Sequence, residues 1–168
     1  GLHGRLVALE KGEAALVTAS GMAAITTTLL TVLSAGDHLL AQSCLYGGTH
    51  DFLTRDLHRY GISFDFINAN RCDEWAGLLK PSTKAVYVET MTNPLIQVAD
   101  LKAVVEFAKA HHLVSMIDNT FASPINFRPA EWGFDLSLHS CTKYLNGHGD
   151  ALGGIILGSK QDMLRIRR

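Results

Sequence analysis

Cysteine is scarce: Cys44, Cys72 and Cys141 are the three in 168 residues, odd in number and widely spaced. That pattern fits neither a disulfide framework nor a zinc motif, so a reducing, cytoplasmic setting is the expectation. An excess of one charge is also missing. Fifteen Lys and Arg stand against sixteen Asp and Glu, and no basic stripe is visible. Nucleic acid is therefore not an expected partner. The C-terminal run Arg165 to Arg168 reads as the end of a solvated helix. Long hydrophobic runs are lacking too. The longest, Met22 to Leu33, is interrupted by Thr26, Thr27, Thr28 and Thr31. It is shorter than the roughly 20 apolar residues a bilayer requires. With no secretory signal pattern, no membrane partner is expected. Internal repeats and low-complexity tracts are absent.

The eight histidines invite a metal reading. His111 and His112 are adjacent and diverge on a helix. His139, His148 and Asp150 lack the i, i+4 spacing of a helical zinc pair. No metal is expected, and His139 reads as a packed strand residue.

What is present is a core. The chain is 47% hydrophobic and 18% charged, enough for one domain with a sizeable interior. Apolar, β-rich runs occur at Ala14 to Thr18, His38 to Ala41, Ile62 to Ile67, Ala85 to Glu89, Val114 to Asp118, Leu136 to His139 and Gly154 to Leu157. Helical segments lie between several of them. The clearest is Asp100 to His111, where Asp100 can cap and Leu101, Val104, Val105 and Ala108 form one stripe. Gly21 to Leu33 and Thr49 to Tyr60 are two more. Strand and helix in alternation predict a three-layer α/β/α fold with a mainly parallel seven-stranded sheet. Ligands of such sheets bind outside the carboxyl ends of the strands.

The most informative stretch is Ser137 to Gly154, SLHSCTKYLNGHGDALGG. Lys143 follows a strand-like run and precedes a glycine-rich turn, with Ser140 and Thr142 at alternate positions. If Ser140 to Lys143 is extended, the hydroxyls point one way and the lysine the other. Such a set suits an aldehyde cofactor carrying a phosphate: hydroxyls hold the phosphate and the lysine forms a Schiff base. The bland alternative is a surface lysine after a strand.

Four other segments bear on the same chemistry. Ala19-Ser20-Gly21-Met22 opens the Thr-rich helix, where free N–H groups, the helix dipole and Gly21 favour a phosphate; alone it is only a cap. Asp118 ends an apolar strand, where a carboxylate needs a partner such as a pyridinium N–H; the alternative is a turn cap with Asn119. Tyr46, in Tyr46-Gly47-Gly48-Thr49, can stack on a flat ring and exchange a proton, or merely anchor the next helix. Glu89, in Val88 to Pro94, ends a buried strand and is either structural or functional. Asn93, which turns the chain with Pro94, can bond a ring oxygen.

In order, SGM, YGGT, ETMTNP, DNTFASP and SCTKYLNGHGD resemble the Cys/Met-metabolism pyridoxal-phosphate enzymes over nearly the whole chain. That family includes cystathionine γ-lyase, γ-synthase and β-lyase, methionine γ-lyase and the O-acylhomoserine sulfhydrylases. The resemblance implies fold type I, with residues 1–168 as the large cofactor-binding domain. It implies pyridoxal 5'-phosphate as cofactor, with Lys143 its Schiff-base lysine and the α-proton carrier. Asp118 would face the ring nitrogen, and Tyr46 would stack on the ring and act as a second catalytic residue. Gly21, Met22, Ser140 and Thr142 would hold the phosphate beside Ser20. Asn93, Glu89 and Thr120 would lie near the ring. The implied substrate is a sulfur-containing or O-acylated homoserine-type amino acid, and the implied assembly a homotetramer, a dimer of dimers.

Two departures stand out. Cys141 replaces the usual alanine. The chain also lacks an N-terminal Tyr-x-Arg arm and a C-terminal domain with a carboxylate-binding arginine, which implies a poorly active core, or a non-catalytic cofactor-binding or assembly domain if it ends at Arg168. Gly48, where bacterial methionine γ-lyases carry cysteine, points to a γ-lyase or γ-synthase type first, a sulfhydrylase second and a β-lyase third.

Overall fold

The structure, a computed structural model, describes residues 1–167. In chain order the elements begin with α1 (Leu2–Glu10), β1 (Ala14–Thr18), α2 (Gly21–Val32), β2 (His38–Gln42), α3 (Gly47–Asp51) and β3 (Ser63–Ile67). There follow α4 (Cys72–Trp75), β4 (Thr83–Glu89), α5 (Leu101–Ala110), β5 (Val114–Asp118), α6 (Ser123–Asn126), α7 (Pro129–Trp132), β6 (Leu136–Ser140), β7 (Gly154–Gly158) and α8 (Lys160–Ile166). Arg168, the last residue of the arginine run, lies outside the described residues. No helix among the described residues is long and apolar enough to cross a membrane.

All seven expected strands form, in one sheet of order β1-β7-β6-β5-β4-β2-β3. β3, β2, β4, β5 and β6 are mutually parallel, and β7 runs antiparallel between β6 and β1. The central strands are apolar on both faces, as a sheet covered on both sides requires. Leu39, Ala41, Tyr87, Met116 and Leu138 pack with Ala24, Ile25 and Leu29 of α2. Leu40, Val86, Val88 and Ile117 pack on the other face with Val104, Val105 and Ala108 of α5.

Local chemistry sets the helix limits. Asp100 caps α5, its carboxylate accepting from the Ala103 amide at 3.0 Å, and the expected stripe Leu101, Val104, Val105 and Ala108 is the buried one. The segment after Tyr46 departs from the expected single helix. One α-turn passes into a wider π-type turn, Phe52–Asp56, then a tighter 3-10 turn, Leu57–Tyr60, stopped by Gly61 at φ 71°. Both Leu53 and Leu57 are buried in the α2-side core.

The parallel register places the ends of β4, β5 and β6 side by side, with Glu89 opposite Asp118 and Asp118 opposite Leu138. The start of α2 meets the end of β6 there, Gly21 against Ser140.

Candidate functional site

A cavity of about 270 Å³ opens at these carboxyl ends. It is lined by all eleven residues singled out in the sequence: Ser20, Gly21 and Met22 from the start of α2, Tyr46 before α3, Glu89 at the end of β4, Asn93 in the next turn, Asp118 and Thr120 after β5, and Ser140, Thr142 and Lys143 after β6.

At the α2 entry, Ser20 is the N-cap, its hydroxyl accepting from the Ala23 amide at 3.0 Å. A Cβ on Gly21 would lie 2.7 Å from Cβ of Ser140, so glycine is required for the helix start to meet the end of β6. The meeting sets the Ser140 and Thr142 hydroxyls beside the free N–H groups of a twelve-residue helix, a suitable cradle for a phosphate.

Here the structure corrects the sequence reading. The extended conformation ends at Ser140, and residues 141–146 form successive turns. The Lys143 amide donates to the Ser140 carbonyl at 3.2 Å, and the Gly147 amide to the Lys143 carbonyl at 2.9 Å. The strand-like alternation of Ser140, Thr142 and Lys143 is therefore lost. The turn brings hydroxyls and amine to one cavity instead of opposite faces of a strand. Thr142 is fixed by the Gly153 amide, which donates to its hydroxyl at 3.2 Å.

Asp118 is oriented by its neighbour. Its Oδ1 accepts from the Thr120 amide at 2.9 Å and the Thr120 hydroxyl at 2.5 Å. That hydroxyl in turn accepts the Ser140 amide at 2.8 Å. Burial raises the Asp118 carboxyl above its ordinary range, against the lowering effect of both Thr120 bonds and of His139. Glu89 is 5% exposed. Burial pushes its carboxyl up to about 8, despite the Tyr46 N–H bond, and the Asp118 charge adds to the rise. Two acids in one enclosed site favour a cationic ligand atom beside them.

Four lining residues were not foreseen: Ile25, Met91, Phe121 and Leu152. Met91 and Phe121 lie inside the quoted motifs ETMTNP and DNTFASP, but as apolar residues they carried no chemical signal. Also unforeseen is a buried polar cluster on the other face of β5 and β6. Glu10, the last residue of α1, is 1% exposed and pairs with His139 Nε2. It also accepts from Asn119 Nδ2 at 3.2 Å. His139 is thus packed in its strand, as expected, and hydrogen-bonded to Glu10 as well. Glu10 lies 129 positions from His139, a separation no local pattern reports.

The comparisons agree with this geometry. The family model of the Cys/Met metabolism PLP-dependent enzymes matches residues 1–167. An L-methionine gamma-lyase of Fusobacterium nucleatum subsp. polymorphum is 41% identical over 99% of this chain and 42% of its own length. A probable cystathionine gamma-synthase of Herpetosiphon aurantiacus is 43% identical over 94% of this chain and 49% of its own. A solved structure of a putative O-acetylhomoserine (thiol)-lyase of Campylobacter jejuni, described with N'-pyridoxyl-lysine-5'-monophosphate, superposes with a TM-score of 0.92 at 34% identity, over 98% of this chain and 40% of that one. The chain spans less than half the length of these relatives. Matched from end to end of its described residues, the chain belongs to the Cys/Met metabolism PLP-dependent enzymes.

Proposed function

We propose that residues 1–167 are the pyridoxal-phosphate-binding large domain of an enzyme of sulfur amino-acid metabolism, of the cystathionine γ-synthase or γ-lyase type. The observation that carries this reading is the convergence of Lys143, Asp118, Tyr46 and the Gly21–Ser140 cradle on one cavity. The relatives' greater length supports reading it as one domain of a longer protein.

The donor set fits the cofactor. Gly21 leaves room where a side chain would collide, the Ser140 and Thr142 hydroxyls suit phosphate oxygens, and Asp118, raised by burial, gains an offsetting charge from a protonated ring nitrogen. When bound, the cofactor supplies a carbonyl that condenses with amines and a ring that accepts electrons from the substrate α-carbon. Lys143 Nζ would hold the cofactor and, once freed by the substrate amine, would serve as the base that takes a proton first from the substrate's Cα and later from Cβ. Thr120 holds Asp118 Oδ1, so the Asp118 carboxylate would be the partner for a protonated ring nitrogen. Tyr46, which lines the same cavity, would stack on the ring, and its phenol would be the proton donor to the group leaving Cγ.

Methionine γ-lyase is the second reading, favoured by the 41% identity to the Fusobacterium enzyme. Overall similarity does not separate the two, because the γ-synthase relative stands at 43%. A homo-oligomer is also proposed. Leu95, Ile96 and Leu152 are 64%, 61% and 81% exposed, and Leu152 lines the cavity, so an apolar rim awaits a covering surface.

The test is borohydride reduction of the full-length protein with the cofactor, followed by peptide mapping. A single adduct on Lys143 with loss of the visible band is the expected result. Adducts scattered over Lys11, Lys84 and Lys160 would sink the reading. Turnover of cystathionine against methionine, and of O-acylhomoserine with cysteine against sulfide, then assigns the type.

A further inference from the structure

Glu89 ends β4 inside the cavity and is fixed from two sides. Its amide donates to Gln42 Oε1 at 2.8 Å, and its Oε1 accepts the Tyr46 amide at 2.7 Å. The latter is the only side-chain hydrogen bond to Tyr46 among the described residues. The Tyr46 ring is 46% exposed, so packing holds it only on one side. The backbone from which that ring hangs is therefore fastened by Glu89, 43 residues away.

Resting on the cofactor reading above, we propose that Glu89 is a positioning residue: it fastens Tyr46 over the cavity and, by holding a proton there, keeps a second carboxylate charge out of a site built for an anionic ligand. The register sets Glu89 directly opposite Asp118 on β5. Two ionised carboxylates at adjacent strand ends repel each other and also repel a phosphate ester. The other titratable groups around Glu89 are Tyr87, two residues back on β4, Tyr46, and Lys143 across the cavity. A neutral carboxyl still accepts the Tyr46 N–H through its carbonyl oxygen, so the fastening and the neutrality are compatible. Its carboxyl is pushed up to about 8, chiefly by burial, so the proton is present at neutral pH and leaves in mildly alkaline solution. Affinity for an anionic ligand then falls as pH rises past that value. The informative quantity is a difference between two proteins that share every other titratable group.

The experiment is calorimetric titration of the cofactor-free full-length protein with pyridoxine 5'-phosphate, which has the ring and phosphate but no aldehyde to condense with Lys143. Wild type, Glu89→Gln and Glu89→Ala are compared from pH 6.5 to 9.5. Glutamine keeps the acceptor for Tyr46 and has no proton to lose. It is expected to match wild type at pH 6.5 and to retain about tenfold more affinity than wild type by pH 9. Alanine is expected to bind about tenfold more weakly at every pH, because Tyr46 is unfastened. Parallel loss of affinity in wild type and Glu89→Gln would overturn the proton-holding role. Equal binding by the Ala and Gln variants would overturn the positioning role. Failure of wild type to bind the analogue at any pH would overturn the cofactor reading and this inference with it.

Discussion

The Thr120 hydroxyl donates to Asp118 Oδ1 at 2.5 Å while accepting the Ser140 amide at 2.8 Å. One small side chain thus ties the acid at the end of β5 to the end of β6, where the turn to Lys143 begins. Thr120→Val keeps the shape and removes both bonds. We expect the freed Asp118 carboxyl to rise further and cofactor affinity to fall roughly tenfold, about 1–2 kcal/mol. Thr120→Ser should stay near wild type. Titration of the cofactor-free full-length protein with pyridoxal phosphate checks both.

Gly48 sits close against two side chains. A Cβ there would lie 2.7 Å from Cε1 of Tyr46 and 3.1 Å from Sδ of Met22. The Tyr46 ring is half exposed and can swing aside, so Gly48→Cys is expected to change stability by less than about 1 kcal/mol. The ring would no longer cover the cavity as before. A shifted visible absorption of the bound cofactor, with an unchanged melting temperature, is the expected signature.

The buried Glu10–His139 pair predicts a large stability effect remote from the cavity. Truncating one partner of a buried pair leaves the other uncompensated, at about 3–5 kcal/mol. Glu10→Ala also takes an acceptor from Asn119 Nδ2, which retains the Phe127 carbonyl at 2.8 Å. Urea unfolding of the full-length protein should place Glu10→Ala several kcal/mol below wild type. A loss under 1 kcal/mol would show that the pair contributes little.

His38 carries a pH prediction. It is fully buried at the start of β2, with Nδ1 2.8 Å from the Thr83 hydroxyl. Burial, then the nearby Lys80 charge, lower its pKa below the ordinary 6.5, against the raising effect of Asp65. The unfolded chain therefore takes up a proton at a pH where the folded one does not. Stability from this group is present above 6.5 and is lost as pH falls below it. Comparing unfolding free energies at pH 7.5 and 5.5, wild type should lose more than His38→Gln. Equal slopes would remove His38 as the cause.

The fold was largely legible because its signals are local. Alternating apolar runs gave seven strands, and Asp100 with the stripe from Leu101 to Ala108 gave α5 with its cap. The misread pieces are those where neighbours in space decide. The hydroxyls and lysine from Ser140 to Lys143 keep strand-like spacing, yet the chain turns after Ser140 because Gly21 packs against that residue and Gly153 claims Thr142. The segment from Thr49 to Tyr60 has helical spacing, yet it widens and then tightens on the way to Gly61.

By itself the sequence determined the order of strands and helices, and which residue types stand at strand ends and helix starts. Periodicity, caps and glycines act over a few residues and need no partner to be read. Only the tertiary structure decided that Glu89 fastens Tyr46 and that Glu10 is a buried partner of His139. These are pairings over 43 and 129 positions. They follow from parallel strand register and helix docking, and the desolvation that raises the two site acids exists only once the sheet is covered.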